Sequence, residues 1–302
     1  MNQSVIEQFR VFAEAEWMTR VGMNYPGVFI FVLAWIFAFG ACLGSFMNVC
    51  IWRIPRGESL SLQPSHCGTC NTLIKWYDNI PVVSYLVLRG RCRSCHTHYS
   101  PRYLIVEIIC GLLFAALPAV LGWTKQPLLP AVNYFPAILY CVTIAWIDAE
   151  YRIIPDKLTI PFTIWGLLTA FGIPALYGTQ SNWLGLLYAV LSGVLPAAFL
   201  ALFAIAGKLF ARREVLGWGD VKFILCAGVL TGISGAVFAL LAGSLSGTVY
   251  GAAAAIYNKK SLRKTSIPFG PFLAGSLIIW MFAGNYIMEI FRSLAVLNSR
   301  IF

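Results

Sequence analysis

Long uncharged runs, separated by short clusters of basic and polar residues, divide this chain into elements. A helix that crosses a bilayer needs about 20 mostly apolar residues. The first uncharged run, Val21 to Trp52, predicts a span from Val28 to Cys50. A polar, cysteine-bearing stretch follows from Arg53 to Arg102. Tyr103 to Thr124, interrupted only by Glu107, and Gln126 to Ile147 predict two more spans. The fifty uncharged residues from Leu158 to Gly207 are too many for one crossing. Pro174 and the polar YGTQSN segment (Tyr177 to Asn182) divide them into two helices. Phe223 to Asn258 has 36 uncharged residues broken near TGISG (Thr231 to Gly235), and reads as a hairpin with a short first arm. A last span covers Gly270 to Met288. The pattern predicts an all-α polytopic membrane protein of about eight transmembrane helices, with seven as the alternative, and a small domain between the first two. It divides the chain into an amphipathic segment over 1–27, a first span over 28–52, a cysteine domain over 53–102 and a helical core over 103–302. The opening segment lacks the basic region and directly following apolar core of a cleavable signal peptide.

Composition supports the membrane reading: 59% of the residues are hydrophobic and only 11% charged, against about 25% charged in soluble domains. The net charge of +10 raises the possibility of nucleic acid as a partner, but its placement argues for topology. With Arg53–Arg102 in the cytoplasm and spans alternating, 17 of the 22 Lys and Arg residues fall on that side. That asymmetry is the positive-inside pattern. It predicts attraction to anionic membrane lipid and no nucleic-acid partner.

The same topology brings two aspartates to the cytoplasmic ends of spans. Asp148 closes the third helix in CVTIAWIDAEYRIIPD, and Asp220 opens the sixth in GWGDVKF. Two carboxyl groups close enough to share a proton titrate in separated steps, leaving one acid and one base. Gly217 and Gly219 remove side chains where a substrate backbone would approach, and Lys222 lies beside the site. Helix capping remains an equal reading of Asp220 alone and is the reading of Asp156. Asp148 sits at a helix C-terminus, where the dipole disfavours a negative charge. Glu107 is expected to pair with Arg102 or Arg53, and Glu150 to be a solvated loop charge.

Cys67 and Cys70 in CGTC, and Cys92 and Cys95 in CRSC, are separated by 21 residues. Two such knuckles form the pattern of a closed, structural four-thiolate zinc site. Redox chemistry is the alternative, disfavoured where thiols are kept reduced. His66, His96 and His98 flank the knuckles and read as surface residues. The other five cysteines read as small apolar filler. Gly44, Ser45 and Asn48 read as helix packing, and Gly243, Gly247 and Gly251 as a close-packing stripe.

In order, GSFMNVCIWRIP, the two CxxC pairs around DNIPVVSYLVLRGRC, RYLIVE, IDAEYRIIPDKLTIP, GWGDVKF and IPFGPF resemble the bacterial type IV prepilin peptidases. These include the enzymes of type IV pilus and type II secretion systems. The resemblance runs nearly end to end, although GxGD alone is a weak signal. It implies intramembrane aspartyl peptidase chemistry at Asp148 and Asp220. It implies prepilin or pseudopilin substrates, cut after a Gly on the cytoplasmic side of the bacterial inner membrane. The four cysteines imply the bifunctional type, which methylates the new N-terminus with S-adenosylmethionine. No glycine-rich nucleotide fingerprint places the methyl donor, and Arg53–Glu107 is the region to search. A zinc-handling transporter would want further ionisable groups in mid-span, and a thiol oxidoreductase would be indifferent to zinc.

Overall fold

The computed structural model of the chain describes residues 24–60, 64–123, 128–211, 217–257 and 267–298. Most of the expected N-terminal amphipathic segment lies outside these residues. So do Lys125, Arg212, Arg213, Lys259, Lys260, Arg263, Lys264 and Arg300. The described residues are helical apart from loops and two isolated β-bridges. They fall into two compact units, Met1–Lys157 and Leu158–Phe302.

The first unit contains α1 (Pro26–Arg53), the five-residue α2 (Val83–Val87), α3 (Arg102–Trp123) and α4 (Ala131–Tyr151). Pro26 stands in the first turn of α1 and Arg53 in the last, where a fixed φ and a positive charge respectively suit the helix ends. α1 and α3 pack closely through glycines. A Cβ on Gly40 would stand 2.6 Å from the Phe114 Cβ, one on Gly44 2.9 Å from the Cys110 Cβ, and one on Gly111 2.7 Å from the Phe37 ring. Lipid tails are as apolar as leucine, so only close approach of this kind makes helices prefer each other to lipid. Phe114, 1% exposed, then reaches α4, its ring centroid 4.7 Å from that of Phe135.

The second unit contains α5 (Asp156–Gly172, whose first two residues lie before the division), α6 (Asn182–Ala211), α7 (Trp218–Tyr257) and α8 (Gly270–Asn298). Forty residues of continuous helix would span about 60 Å, twice the hydrocarbon thickness. α7 is instead interrupted at Gly232, whose φ of 80° and ψ of 170° are not helical. Glycine reaches that backbone region without a steric penalty. The break lies inside TGISG and leaves a short first arm, as the sequence predicts. It also deprives the preceding carbonyls of their helical donors, and the Tyr177 hydroxyl donates to the Val229 carbonyl at that place. Tyr177 and Leu167 pack on the buried Ala170, Ala189 and Val229, where α5, α6 and α7 meet.

Glycine also sets the distances in this unit. A Cβ on Gly228 would overlap the Ser192 carbonyl oxygen and stand 2.8 Å from the Gly193 Cα. Along the second arm, Gly243 faces Leu273, Gly247 faces Phe269 and Phe272, and Gly251 faces Ile267. These contacts run antiparallel, and they make the predicted small-residue stripe the seat of α8. Among the described residues, six helices have the length and composition of membrane spans. Counting α7 as two arms and adding the 17-residue α5 gives the eight helices expected. The protein is a multi-pass membrane protein.

Gly228→Val is expected to lower Tm in detergent by roughly 5 °C or more, because overpacking costs about 1–3 kcal/mol. Gly275→Ala should leave Tm within about 2 °C, since a Cβ there meets nothing within 4 Å; thermal unfolding of the two variants checks both.

Candidate active site

The cysteine module is built from one local structure used twice. In the segments HCGTCNTL and RCRSCHTH, the Cys67 N–H donates to the Thr72 carbonyl and the Cys92 N–H to the Thr97 carbonyl, both at 2.9 Å. Asn71 and His96 occupy the same place in each turn, with φ of 55° and 57°. Each turn is closed by an antiparallel bridge, His66 with Leu73 and Arg91 with His98. Each second cysteine lies 3.3 Å from a threonine hydroxyl, Cys70 from Thr72 and Cys95 from Thr97.

The two knuckles bring four sulfurs together, all within 4.8 Å of one another. The contacts of 3.8 Å (Cys67 to Cys95) and 4.0 Å (Cys70 to Cys92) run between knuckles. A disulfide needs about 2.05 Å. A tetrahedron of thiolates around zinc at 2.3 Å has edges of about 3.8 Å, so the four residues fit that ion. The backbone N–H groups of Cys95 and Ser94 draw the Cys92 thiol down to about 6, and the Thr72 hydroxyl lowers that of Cys70. For Cys95 the Thr97 hydroxyl lowers the value, but desolvation and hydrogen bonds from Cys70 and Cys92 outweigh it and raise it. A cluster in which two thiols are drawn toward the thiolate is prepared for a cation. His66, His96 and His98 are exposed, and the candidate ligand group among the described residues consists of the four cysteines alone.

The module is fixed to the first unit at several points. The Arg53 guanidinium donates to the carbonyls of Ser59 and Leu60 and closes the turn after α1. Asn48, 1% exposed, donates to the Tyr103 carbonyl at 3.0 Å. Arg102 forms a bidentate pair with Glu150 at 2.8 and 2.9 Å. Glu150 is thus on α4 and paired, where the sequence suggested a solvated loop charge. Glu107 pairs with neither Arg102 nor Arg53. Its carboxylate, within the span of α3, accepts the Val82 N–H at 2.7 Å and is hydrogen-bonded by the Ser45 side chain. Val82 has φ 63° and ψ −52°, with the Val83 N–H 2.6 Å from the Pro81 carbonyl. This is a strained γ-turn centred on a β-branched residue, a conformation that costs on the order of 1–3 kcal/mol. No sequence signal pointed to a main-chain partner for Glu107.

The Arg102–Glu150 pair places the C-terminal end of α4 on the module's side of the first unit. Asp148 lies there, 7% exposed, and its carbonyl accepts the N–H of Arg152, which ends the helix in the left-handed conformation. Asp220 belongs to the second unit. It is half-buried in the first turn of α7, its N–H donating to the Gly217 carbonyl at 3.1 Å. It is therefore a residue inside the helix start rather than the cap itself, at an end where the dipole favours a negative charge. A Cβ on Gly217 would stand 3.4 Å from the Asp220 Oδ2, an ordinary contact. Gly219 is half-buried and Lys222 exposed. Asp156 is exposed at the first position of α5.

The fold and these features define a multi-pass membrane protein with a thiolate-bearing module on one side and acidic residues at span ends. Its residues 38–121 match the Bacterial Peptidase A24 N-terminal domain, and residues 135–252 match the Type IV leader peptidase family. A prepilin leader peptidase/N-methyltransferase of Legionella pneumophila is 31% identical, over 88% of this chain and 96% of the relative. One from Myxococcus xanthus is 34% identical, over 76% of this chain and 65% of its own length. The type 4 prepilin-like proteins leader peptide-processing enzyme of Escherichia coli O78:H11 is 34% identical over 78% of this chain and 88% of its own. No solved structure matches the chain. The chain belongs to the type IV leader peptidase family.

Purified protein is expected to carry one zinc per chain by elemental analysis. Cys67→Ser or Cys92→Ser should cut the zinc content at least about tenfold, while His98→Ala leaves it unchanged.

Proposed function

We propose that the chain is a prepilin leader peptidase and N-methyltransferase in which Asp148 and Asp220 form the catalytic pair. The observation that carries this is the family match across both described units, with an acidic residue in each at a span end. Positive-inside asymmetry puts the module and the site on the cytoplasmic side of the bacterial inner membrane. There the chain meets the basic leader of a prepilin or pseudopilin. One Asp is ionised and takes a proton from water as that water adds to the carbonyl carbon of the Gly before the cut. The other Asp is protonated and hydrogen-bonds the carbonyl oxygen. The C–N bond then breaks as the amine leaves with a proton. Gly217 and Gly219 leave the main chain open beside Asp220, and Lys222 supplies a neighbouring positive charge.

Cys67, Cys70, Cys92 and Cys95 hold a zinc ion that closes the module and takes no part in bond breaking. S-adenosylmethionine supplies the methyl group for the new N-terminal amine. Among the described residues, two buried side-chain atoms lack a hydrogen-bond partner, Asn48 Oδ1 and Arg102 Nε. They stand where the module joins α1 and α3, inside the region the sequence marks. An N–H donor of Arg102 suits a carboxylate and the Asn48 oxygen suits an ammonium, so these residues fit the amino-acid end of the donor.

Purified enzyme with a prepilin tests the pair. Asp148→Asn and Asp220→Asn should each lower the rate of leader removal at least about 10³-fold, while Asp156→Asn retains it. Normal cutting by both variants would rule out the aspartyl assignment. Product mass with S-adenosylmethionine present reads methylation separately. Zinc removal is expected to reduce methylation before cleavage.

A further inference from the structure

Between Asp78 and Arg89 the otherwise charged module has ten uncharged residues, NIPVVSYLVL. In the structure four of their apolar side chains are exposed. Val83 is 52% exposed, Leu86 60% and Val87 70%. These are positions i, i+3 and i+4 of α2, one face of the helix. Ile80 and Trp76 are exposed too. Lys75, Arg89 and Arg91 flank this apolar strip at the surface, whereas Arg93 is engaged by Asp78 at 2.6 Å. An apolar helical face bordered by basic residues fits the boundary between lipid headgroups and acyl chains.

Glu107 fixes the depth of this strip. It lies five residues into α3, which begins at Arg102, so it sits about 7–8 Å along the axis on the membrane side of the helix start. The Val82 N–H is bonded to that carboxylate, which reaches back toward the helix N-terminus, so Val82 lies within about one helical turn of that level. Interfacial helices bury their apolar face about 5–10 Å into the headgroup–acyl boundary. Non-helical backbone at membrane depth needs every polar group satisfied from within the protein, and the Val82 N–H, just before α2, is satisfied by the carboxylate. The strained turn at Val82 is retained because Glu107 holds it.

We propose that Ile80–Val87 is an interfacial anchor: it dips from the cysteine module into the cytoplasmic leaflet, with its apolar face on lipid and Glu107 as the tether that sets its depth. The occupant is the surrounding bilayer, with anionic headgroups beside Lys75, Arg89 and Arg91. The Arg102–Glu150 pair holds the base of the module, and the anchor holds its far side. The anchor is independent of the aspartyl chemistry, so failure of either reading leaves the other standing.

The test uses full-length protein in vesicles of equimolar phosphatidylethanolamine and phosphatidylglycerol, with a benzophenone amino acid at Leu86 or, as control, at exposed Thr69. After illumination, intact mass reports lipid adducts. Leu86 is expected to give several-fold more lipid adduct than Thr69. Glu107→Leu, which removes the acceptor, should cut the Leu86 adduct several-fold. Val82→Gly keeps the N–H and suits a positive φ, so it should preserve the adduct and raise Tm; Glu107→Ala, which also removes the acceptor, reads the tether if Glu107→Leu does not fold. Equal adducts at Leu86 and Thr69 would overturn the anchor. So would adducts that form only with added prepilin peptide, since the face would then belong to the substrate. An adduct unchanged by Glu107→Leu would overturn the tether.

Discussion

A backbone N–H or C=O that loses its helical partner in hydrocarbon has no water to turn to, and an unpaired group there costs several kcal/mol. Among the described residues, two departures from regular helix are each met by a nearby side chain. The break at Gly232 lets α7 be two arms instead of one rod of about 60 Å, and the Tyr177 hydroxyl meets the Val229 carbonyl beside it. In the first unit, the Val82 N–H reaches the level of a membrane helix and is met by Glu107. An acid inside a span is costly by itself. Here its cost is offset by a main-chain donor that would be equally costly without it.

The same shortage of driving force explains the glycines. Between helices in lipid there is little hydrophobic gain, so association rests on van der Waals contact and close approach. Gly40, Gly44 and Gly111 bring α1 and α3 together in one unit, and Gly193 and Gly228 do so for α6 and α7 in the other. Close packing has a functional consequence in the first unit. With α1 and α3 fixed, Asn48 reaches the Tyr103 carbonyl, and Arg102 is buried at the end of α3, where it pairs with Glu150 on α4. That pair ties the helix carrying Asp148 to the base of the cysteine module. Asp148 and the four cysteines are thereby attached to one frame within this unit.

The module itself solves a different difficulty. About fifty residues between two spans offer too small an apolar core to fold firmly. Two copies of the same knuckle, with matching left-handed residues at Asn71 and His96 and matching threonines at Thr72 and Thr97, present four sulfurs instead. The outward apolar residues that such a module cannot bury are the ones that the bilayer is positioned to take.

Much of this was legible in the sequence because hydrocarbon imposes a length and a composition on each span. The ends of α1, α3 and α6, the break inside TGISG and the short first arm of α7 follow from where charges and glycines fall. The four cysteines were legible because a metal site of this class has fixed local spacing. Asp148 stood out because the dipole disfavours an acid at a helix C-terminus, and Asp220 because GWGDVKF carries the family resemblance. Pairing of charges was not legible. Glu107 had Arg102 and Arg53 as candidate partners and Glu150 read as a solvated charge, and the outcome depended on which helix faces met. Arg102 turned toward Glu150 on α4, and Glu107 toward a main-chain donor 25 residues away. Sequence alone determined roughly where the spans lie and which residues could hold a metal, since these depend on local composition and spacing. Tertiary structure decided who bonds to whom, because in a medium without water each buried polar group takes whichever partner the packing of the helices brings within about 3 Å.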